Sequence, residues 1–225
     1  MGRASASTDL EPRPDSANVA APMTGPRPAW YRRLPPSLRR VAEASDRVAT
    51  LPLQAGPRLR ELVAALPPAL EAGHPREVQA LAQAIANGIC IALRVKPVRV
   101  RVALRRPPLR GGELQGLYEP AAERGHDVVT VWMLTLKKGQ VVKFRTFLRT
   151  LLHELCHHLD YKLLRLADSL HTQGFYQRES SLFHALDAGS ADGVPQRGLE
   201  RPTIDRQGST LYSGRVPEKP SSPVT

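Results

Sequence analysis

The stretch VKFRTFLRTLLHELCHHLDYKLLRLA, residues 142–167, decides how the rest of the chain has to be arranged. Its large apolar residues recur at three- and four-residue intervals, the spacing of one face of a helix. They are Phe144, Phe147, Leu148, Leu151, Leu152, Leu155 and Leu159. Gly139 breaks the chain just before the stretch. We therefore predict a long amphipathic helix over residues 142–167 whose apolar stripe packs on the core.

Two histidines lie four residues apart on the side of this helix away from the apolar stripe. At about 100° per residue counted from Phe144, His153 falls at about 180° and His157 at about 220°, whereas the stripe centres on roughly 20–60°. The two imidazoles therefore project together and can bind one metal ion, and we expect their face of the helix to be free to line a cleft. Glu154, about 100° round from His153, is placed to reach a water on that ion.

This H-E-x-x-H pattern is typical of mononuclear zinc hydrolases, in which the two histidines are ligands and the glutamate is the general base. Zinc lowers the pKa of its water toward neutrality, and the glutamate takes the proton and delivers it to a leaving amine. The pattern predicts a zinc-dependent metalloprotease that hydrolyses peptide bonds, with a zinc-bound water activated by Glu154. Two surface histidines beside an acid are the structural alternative.

A catalytic zinc usually has a third protein ligand. His171, fourteen residues after His157, follows the predicted helix, and a turn there can fold it over the metal. Glu179 is the alternative ligand, on a short helix predicted over residues 176–186, or it bonds to a ligand histidine and fixes the ring tautomer. Asp160, at about 160° on the helical wheel, lies beside His153 and is either such an outer group or a solvated carboxylate.

Three neighbours of these residues have roles that the sequence leaves open. His158 points toward the flank of the apolar stripe, where we expect it to pack or to form a hydrogen bond. Tyr161 and Tyr176 are candidate oxyanion stabilisers, with a core or rim tyrosine as the alternative for each.

The run His153-Glu154-Leu155-Cys156-His157-His158, followed by His171-Thr172-Gln173-Gly174-Phe175, resembles the SprT-like (Spartan-type) zinc metallopeptidases. That family has H-E-x-x-H on a helix, then a third histidine and a phenylalanine four residues after it, here Phe175. The resemblance covers residues 75–186. It implies a zincin-like fold with a small antiparallel sheet before the active helix, one zinc ion, and cleavage of proteins that are often associated with DNA.

By matching position, the resemblance implies that His153, His157 and His171 are zinc ligands and that Glu154 is catalytic. The chain departs from the family in two respects. Thr172 stands where the family usually has a glycine, and with two cysteines the chain lacks the cysteine zinc ribbon of many members.

The rest of the sequence predicts helices and a few strands. Helical periodicity is found over residues 37–50, 58–66 and 75–93, with Pro67-Pro68 expected to end the second helix. Strand patterns cover residues 98–102, 114–119 and 127–136, the last two arranged as a hairpin with a long loop. We predict an α+β, zincin-like fold of N-terminal helices, a small three-stranded sheet, the long HExxH helix and a short C-terminal helix.

Composition divides the chain into three parts. Residues 1–29 and 189–225 are rich in small and polar residues and proline, with few large apolar side chains, so we predict disordered tails. Residues 30–188 are the predicted metallopeptidase domain. The two cysteines, Cys90 and Cys156, indicate a reducing compartment rather than a disulfide scaffold. Because no stretch approaches the length of a membrane span, we expect a cytoplasmic protein.

The charge of the chain suggests a second class of function. The 32 Lys and Arg residues exceed the 21 Asp and Glu residues, giving a formal net charge of +11. Such a field favours anionic partners, and nucleic acid above all. The alternative to a protease acting on protein or peptide substrates is therefore a basic nucleic-acid-binding module with a structural zinc site. No helix-turn-helix, RNA-binding or zinc-finger signature accompanies the charge.

Overall fold

A computed structural model describes residues 29–105, 108–109, 112–113, 115–121, 125–135 and 138–187 of the chain. This part of the chain is α+β, as predicted, with six helices and a small three-stranded sheet. The helices are α1 (Ala29–Arg32), α2 (Pro36–Asp46), α3 (Pro57–Glu71), α4 (Pro75–Ala92), α5 (Phe144–Lys162) and α6 (Gln173–Asp187). The strands are β1 (Arg99–Ala103), β2 (Pro108–Leu109), β3 (Gly112–Glu113), β4 (Gly116–Glu119) and β5 (Val128–Trp132).

The predicted disordered tails, residues 1–29 and 189–225, lie outside the described residues except for Ala29, which begins α1. None of the described helices combines the length and the apolar character needed to cross a membrane. Cys90 and Cys156 are both buried and carry free thiols.

The three-stranded sheet is mixed, with the order β1-β5-β4. The predicted hairpin is confirmed, because β4 pairs antiparallel with β5. This antiparallel pair is the part of the sheet that the family resemblance implied, and β1, for which the sequence predicted no direction, runs parallel to β5. The connection from β1 to β5 is long enough for the crossover that parallel pairing requires. The outer edge of β1 is bonded by the side-chain amides of Gln79 and Gln83 on α4, which hold the strand in this direction.

Helix α3 continues past the point where the sequence predicted its end. Pro67 and Pro68 lie inside it, and the helix ends only at Glu71. A proline in a helix interior costs about 3 kcal/mol or more, through a lost hydrogen bond and a steric clash. The residues around the prolines offset this cost, since Leu66 and Leu70 are fully buried and each contributes roughly 1.5–3 kcal/mol on burial.

Helix α5 is the centre of the fold and packs against β4, β5, α3 and α6. Its predicted apolar stripe is buried apart from the half-buried Phe144, and every residue from Leu151 to Asp160 is buried as well. The expectation of an open histidine face is therefore wrong, because α6 and the connection after α5 cover that side. The helix also ends sooner than predicted, at Lys162, and the chain turns back through Arg165, whose φ is 55°.

Candidate metal centre

Three imidazoles converge on one point beside α5. One ring nitrogen each of His153, His157 and His171 lies within 4.8 Å of the others, and Nε2 of His153 is 3.0 Å from Nε2 of His171. Two imidazole nitrogens that bind a tetrahedral zinc ion at about 2.0–2.1 Å are roughly 3.3 Å apart. The donor set and its spacing therefore fit a single zinc ion.

The three histidines reach this point by two routes. His153 and His157 are one turn apart on α5, whereas His171 belongs to the connection that returns from the end of α5. Thr172 ends that connection, and its Oγ1 accepts a hydrogen bond from the backbone N–H of Phe175 at 3.2 Å, as an N-cap of α6 does. The same hydroxyl is 2.9 Å from Oγ of Ser45 on α2. Thr172, which stands where the resembled family usually has a glycine, thus caps α6 and bonds it to α2.

Phe175 forms an apolar wall behind the three imidazoles. Its ring centroid is 4.9 Å from that of His153, 4.7 Å from that of His157 and 5.0 Å from that of His171. The side chain is fully buried. Because all three imidazoles pack against one immobile ring, their orientations are constrained without any metal.

Glu179 bonds to the outer nitrogen of His153. Its Oε2 is 3.0 Å from Nδ1 of His153, and because a carboxylate only accepts, Nδ1 carries the proton. The Nε2 lone pair of His153 then points toward His171. Of the two predicted third ligands, the structure therefore brings His171 to the pair of histidines and places Glu179 behind His153.

Of the two roles predicted for Asp160, the structure excludes the solvated carboxylate and agrees with an outer group, but one linked to His157 through Ser169. Asp160 is neither solvated nor bonded to His153, because its side chain is fully buried between Arg178 at 2.7 Å and Ser169 at 2.8 Å. Ser169 in turn bonds to His157. Burial raises the pKa of Asp160, and the Arg178 guanidinium opposes that rise. The wheel gives only a direction from the helix axis, so it could not show that the returning connection inserts Ser169 there.

Glu154 is buried beneath β4, with 5% of its surface exposed. Its carboxylate accepts a hydrogen bond from the backbone N–H of Tyr118 and packs against Gly116, which has no side chain to displace it. Burial raises the pKa of Glu154 to about 7, with His153 opposing the rise and Glu179 adding to it. A carboxyl group with this pKa can both take and release a proton near neutral pH.

Two histidines of the cluster, His157 and His171, are held in the neutral form that binds metals. Burial lowers the pKa of His157 well below its usual value, and the neighbouring imidazoles of His153 and His171 add to the effect. Burial likewise lowers the pKa of His171 to about 3. A metal ion at this centre would therefore not have to displace protons from these two rings at neutral pH.

His158, Tyr161 and Tyr176, whose roles the sequence did not decide, lie around the cluster. His158 forms the expected hydrogen bond, because its buried Nε2 donates to the carbonyl of Lys96 at 2.8 Å. The hydroxyl of Tyr161 donates to Asp168 at 3.2 Å, and the ring of Tyr176 stacks on His171 with the centroids 5.9 Å apart.

The sequence did not indicate Ser45, Ser169 or Arg178, because none belongs to a motif. Ser45 and Arg178 contact each other from segments more than a hundred residues apart, and Ser169 reaches His157 only because the connection after α5 turns back. A buried arginine is the one feature that could have been suspected, since Arg178 falls among the apolar residues of α6.

Comparisons with known proteins do not place the chain in a family. No family model matches it, and neither a curated protein nor a solved structure is significantly similar to it.

Proposed function

We propose that this protein is a zinc-dependent metallopeptidase of the SprT-like type with a zincin-like fold. His153, His157 and His171 would hold the zinc ion, and Glu154 would be the catalytic general base. The observation that carries the proposal is the convergence of three imidazole nitrogens within 4.8 Å beside a buried glutamate. Zinc, when bound, lowers the pKa of a coordinated water and polarises a carbonyl group.

Glu154 would manage the proton of the reaction. Its carboxylate takes a proton from the attacking water and passes it to the amine that leaves when the peptide bond breaks. Burial of the Glu154 side chain supports this role, because it raises the pKa of Glu154 to about 7. The backbone N–H of Tyr118 and the close approach of Gly116 hold the carboxylate in place.

Strand β4 would bind the substrate. It is an edge strand of the three-stranded sheet and lies directly over Glu154. An extended peptide can add to such an edge through main-chain hydrogen bonds, which require no particular side chains. The substrate class that fits is therefore an unfolded or extended segment of a protein.

A structural zinc site in a nucleic-acid-binding module is less well supported. Structural zinc usually has four protein ligands, whereas the cluster found among the described residues has three histidines and no cysteine. A structural site also has no use for a general base, and Glu154 is buried next to the cluster. The two free, buried cysteines agree with the expected cytoplasmic location.

The test compares the wild type with two variants that each convert one glutamate to glutamine. Zinc content and cleavage of a chemically unfolded protein are measured for the wild type, Glu154→Gln and Glu71→Gln, the last at an exposed position at the end of α3. We expect one zinc in all three and a loss of cleavage by about 10²–10⁴-fold only in Glu154→Gln.

Two results would contradict the proposal. A wild type that takes up no zinc has no metallopeptidase centre, and equal cleavage by wild type and Glu154→Gln removes the general base. The nucleic-acid alternative instead predicts tight DNA binding that weakens steeply with salt and does not change in Glu154→Gln.

A further inference from the structure

A continuous series of hydrogen-bonded polar groups, buried except for the half-buried Ser169, leads from the end of α2 to the proposed metal centre. Arg178 on α6 donates to the backbone carbonyl of Ser45 at 2.7 Å and to its hydroxyl at 2.9 Å. The same guanidinium donates to Oδ1 of Asp160 at 2.7 Å. Oδ2 of Asp160 accepts from the hydroxyl of Ser169 at 2.8 Å, and that hydroxyl is 2.7 Å from Nδ1 of His157.

The charge of Arg178 determines whether the Asp160 carboxyl group is ionised. Arg178 is a cation with no exposed surface, and its other acceptors, on Ser45 and Val48, are neutral. A buried cation needs a counter-ion, because an uncompensated charge in the interior is strongly destabilising. Asp160 is the carboxylate in contact with it, at 2.7 Å. Asp160 is therefore ionised and can only accept hydrogen bonds.

The donor in the hydrogen bond between Ser169 and His157 follows from the single proton on the Ser169 hydroxyl. The hydroxyl of Ser169 has one proton, and it goes to the Asp160 carboxylate. The bond between Ser169 and His157 must then be donated by Nδ1–H of His157. A neutral imidazole with its proton on Nδ1 has its lone pair on Nε2, the other ring nitrogen.

We propose that Ser169, Asp160 and Arg178 are positioning residues that fix the Nδ1–H tautomer of His157 and direct its Nε2 lone pair at the metal position. His153 has the same tautomer through Glu179, so both histidines of α5 would be prepared for a metal in the same way. The part of this inference that concerns metal affinity rests on the proposed function, whereas the tautomer does not.

The arrangement is not explained by stability alone. Breaking a buried ion pair is destabilising, but apolar residues of similar volume in place of both partners are often as stable or more so. An ion pair between Arg178 and Asp160 therefore adds little to stability that packing could not supply. What it adds is a fixed acceptor for Ser169, and through Ser169 a fixed orientation of His157.

The experiment uses the full-length chain and four proteins: wild type, Ser169→Ala, Ser169→Thr and Ser37→Ala, the last at an exposed position of α2. Nitrogen-15 chemical shifts of the histidine side chains in the metal-free protein report which ring nitrogen of His157 is protonated, with the resonance assigned from a His157→Gln variant. Zinc affinity is measured by competition with a chelator.

We expect His157 to be protonated on Nδ1 in the wild type and to become a mixture of tautomers in Ser169→Ala. Zinc affinity should fall by about 10–100-fold in Ser169→Ala, the usual effect of removing an outer partner of a ligand histidine. Ser169→Thr, which keeps the hydroxyl, should restore both properties, and Ser37→Ala should match the wild type. A merely structural role would not move the tautomer.

The inference is overturned if His157 carries its proton on Nε2 in the wild type, or if Ser169→Ala leaves the tautomer or the zinc affinity unchanged. The proposed function fails separately: a wild type with the expected tautomer but no zinc binding would end the metallopeptidase proposal and keep the tautomer assignment. A wild type that binds zinc and cleaves protein, with Ser169→Ala binding zinc equally well, would end only the inference.

Discussion

Gly116 offers the sharpest test of how Glu154 is placed. This glycine begins β4, directly above the Glu154 side chain. A Cβ atom at position 116 would come 2.6 Å from Cγ and 2.8 Å from Cδ of Glu154, and nearer still to Oε1. Because the three atoms nearest to this Cβ all belong to Glu154, Gly116→Ala pushes first on the proposed general base.

The expected size of the effect follows from these distances. Two carbon atoms in contact are about 3.5–4.0 Å apart, so the Glu154 side chain must retreat by about 1 Å. A displacement of about 1 Å can reduce a catalysed rate by about 10²-fold. Overpacking of this kind costs about 1–3 kcal/mol of stability. The added Cβ meets Glu154 before any of the three proposed zinc ligands, so zinc affinity should not change.

The assay measures kcat/KM for cleavage of a chemically unfolded protein, together with zinc content and the free energy of unfolding. Gly125→Ala is the matched control, because a Cβ at Gly125 would meet nothing within 4 Å. We expect cleavage about 100-fold slower in Gly116→Ala with full zinc content, and wild-type behaviour in Gly125→Ala. Cleavage by Gly116→Ala at the wild-type rate would refute the reasoning, since Glu154 could not then act from its observed position.

Two further predictions concern the histidines. Glu179→Gln removes a carboxylate that fixes a ligand imidazole, so zinc affinity measured against a chelator should fall by about 10–100-fold, whereas the exposed Glu119→Gln should leave it unchanged; equal affinities would deny Glu179 this role. The metal-free protein should lose stability as the pH falls below 6.5, because the pKa values of His157 and His171 are lower in the folded than in the unfolded chain. Glu154, whose pKa is raised, acts in the opposite direction, whereas His158, whose pKa is also lowered by burial, adds to the loss. The three histidines outweigh the one glutamate, so the free energy of unfolding falls with the pH. Urea unfolding between pH 6.5 and 5 should show this loss, and a steeper one in Glu154→Gln; stability that rises as the pH falls would contradict the prediction.

Local spacing was sufficient to predict the helix that carries the centre. The apolar stripe of α5 and the shared direction of His153 and His157 depend only on the 3.6-residue repeat of a helix. Short-range patterns also predicted the β4–β5 hairpin and the helix that begins at Pro75. The short-range patterns wrongly predicted that the helix ends at Pro67. The free-energy cost of a proline in a helix is a local property, whereas the burial that offsets it depends on packing against another helix.

The residue pattern left two candidates for the third ligand, of which the resemblance implied His171, and the structure brings His171 to the cluster. That position depends on contacts far apart in sequence. Ser45 bonds to Thr172 and Asp46 bonds to the backbone N–H of Gly174, so α2 holds the start of α6 from more than a hundred residues away. No local preference specifies such contacts.

The sequence by itself therefore determined that two imidazoles and a neighbouring acid leave one helix together, because the geometry of a helix turn does not depend on its surroundings. Only the tertiary structure decided that α6 covers this face, that Glu154 is buried beneath β4, and that Asp160 acts through Ser169 rather than beside His153. The physical reason is that burial, charge compensation and tautomer are properties of the whole packed neighbourhood, which is assembled from segments at opposite ends of the chain.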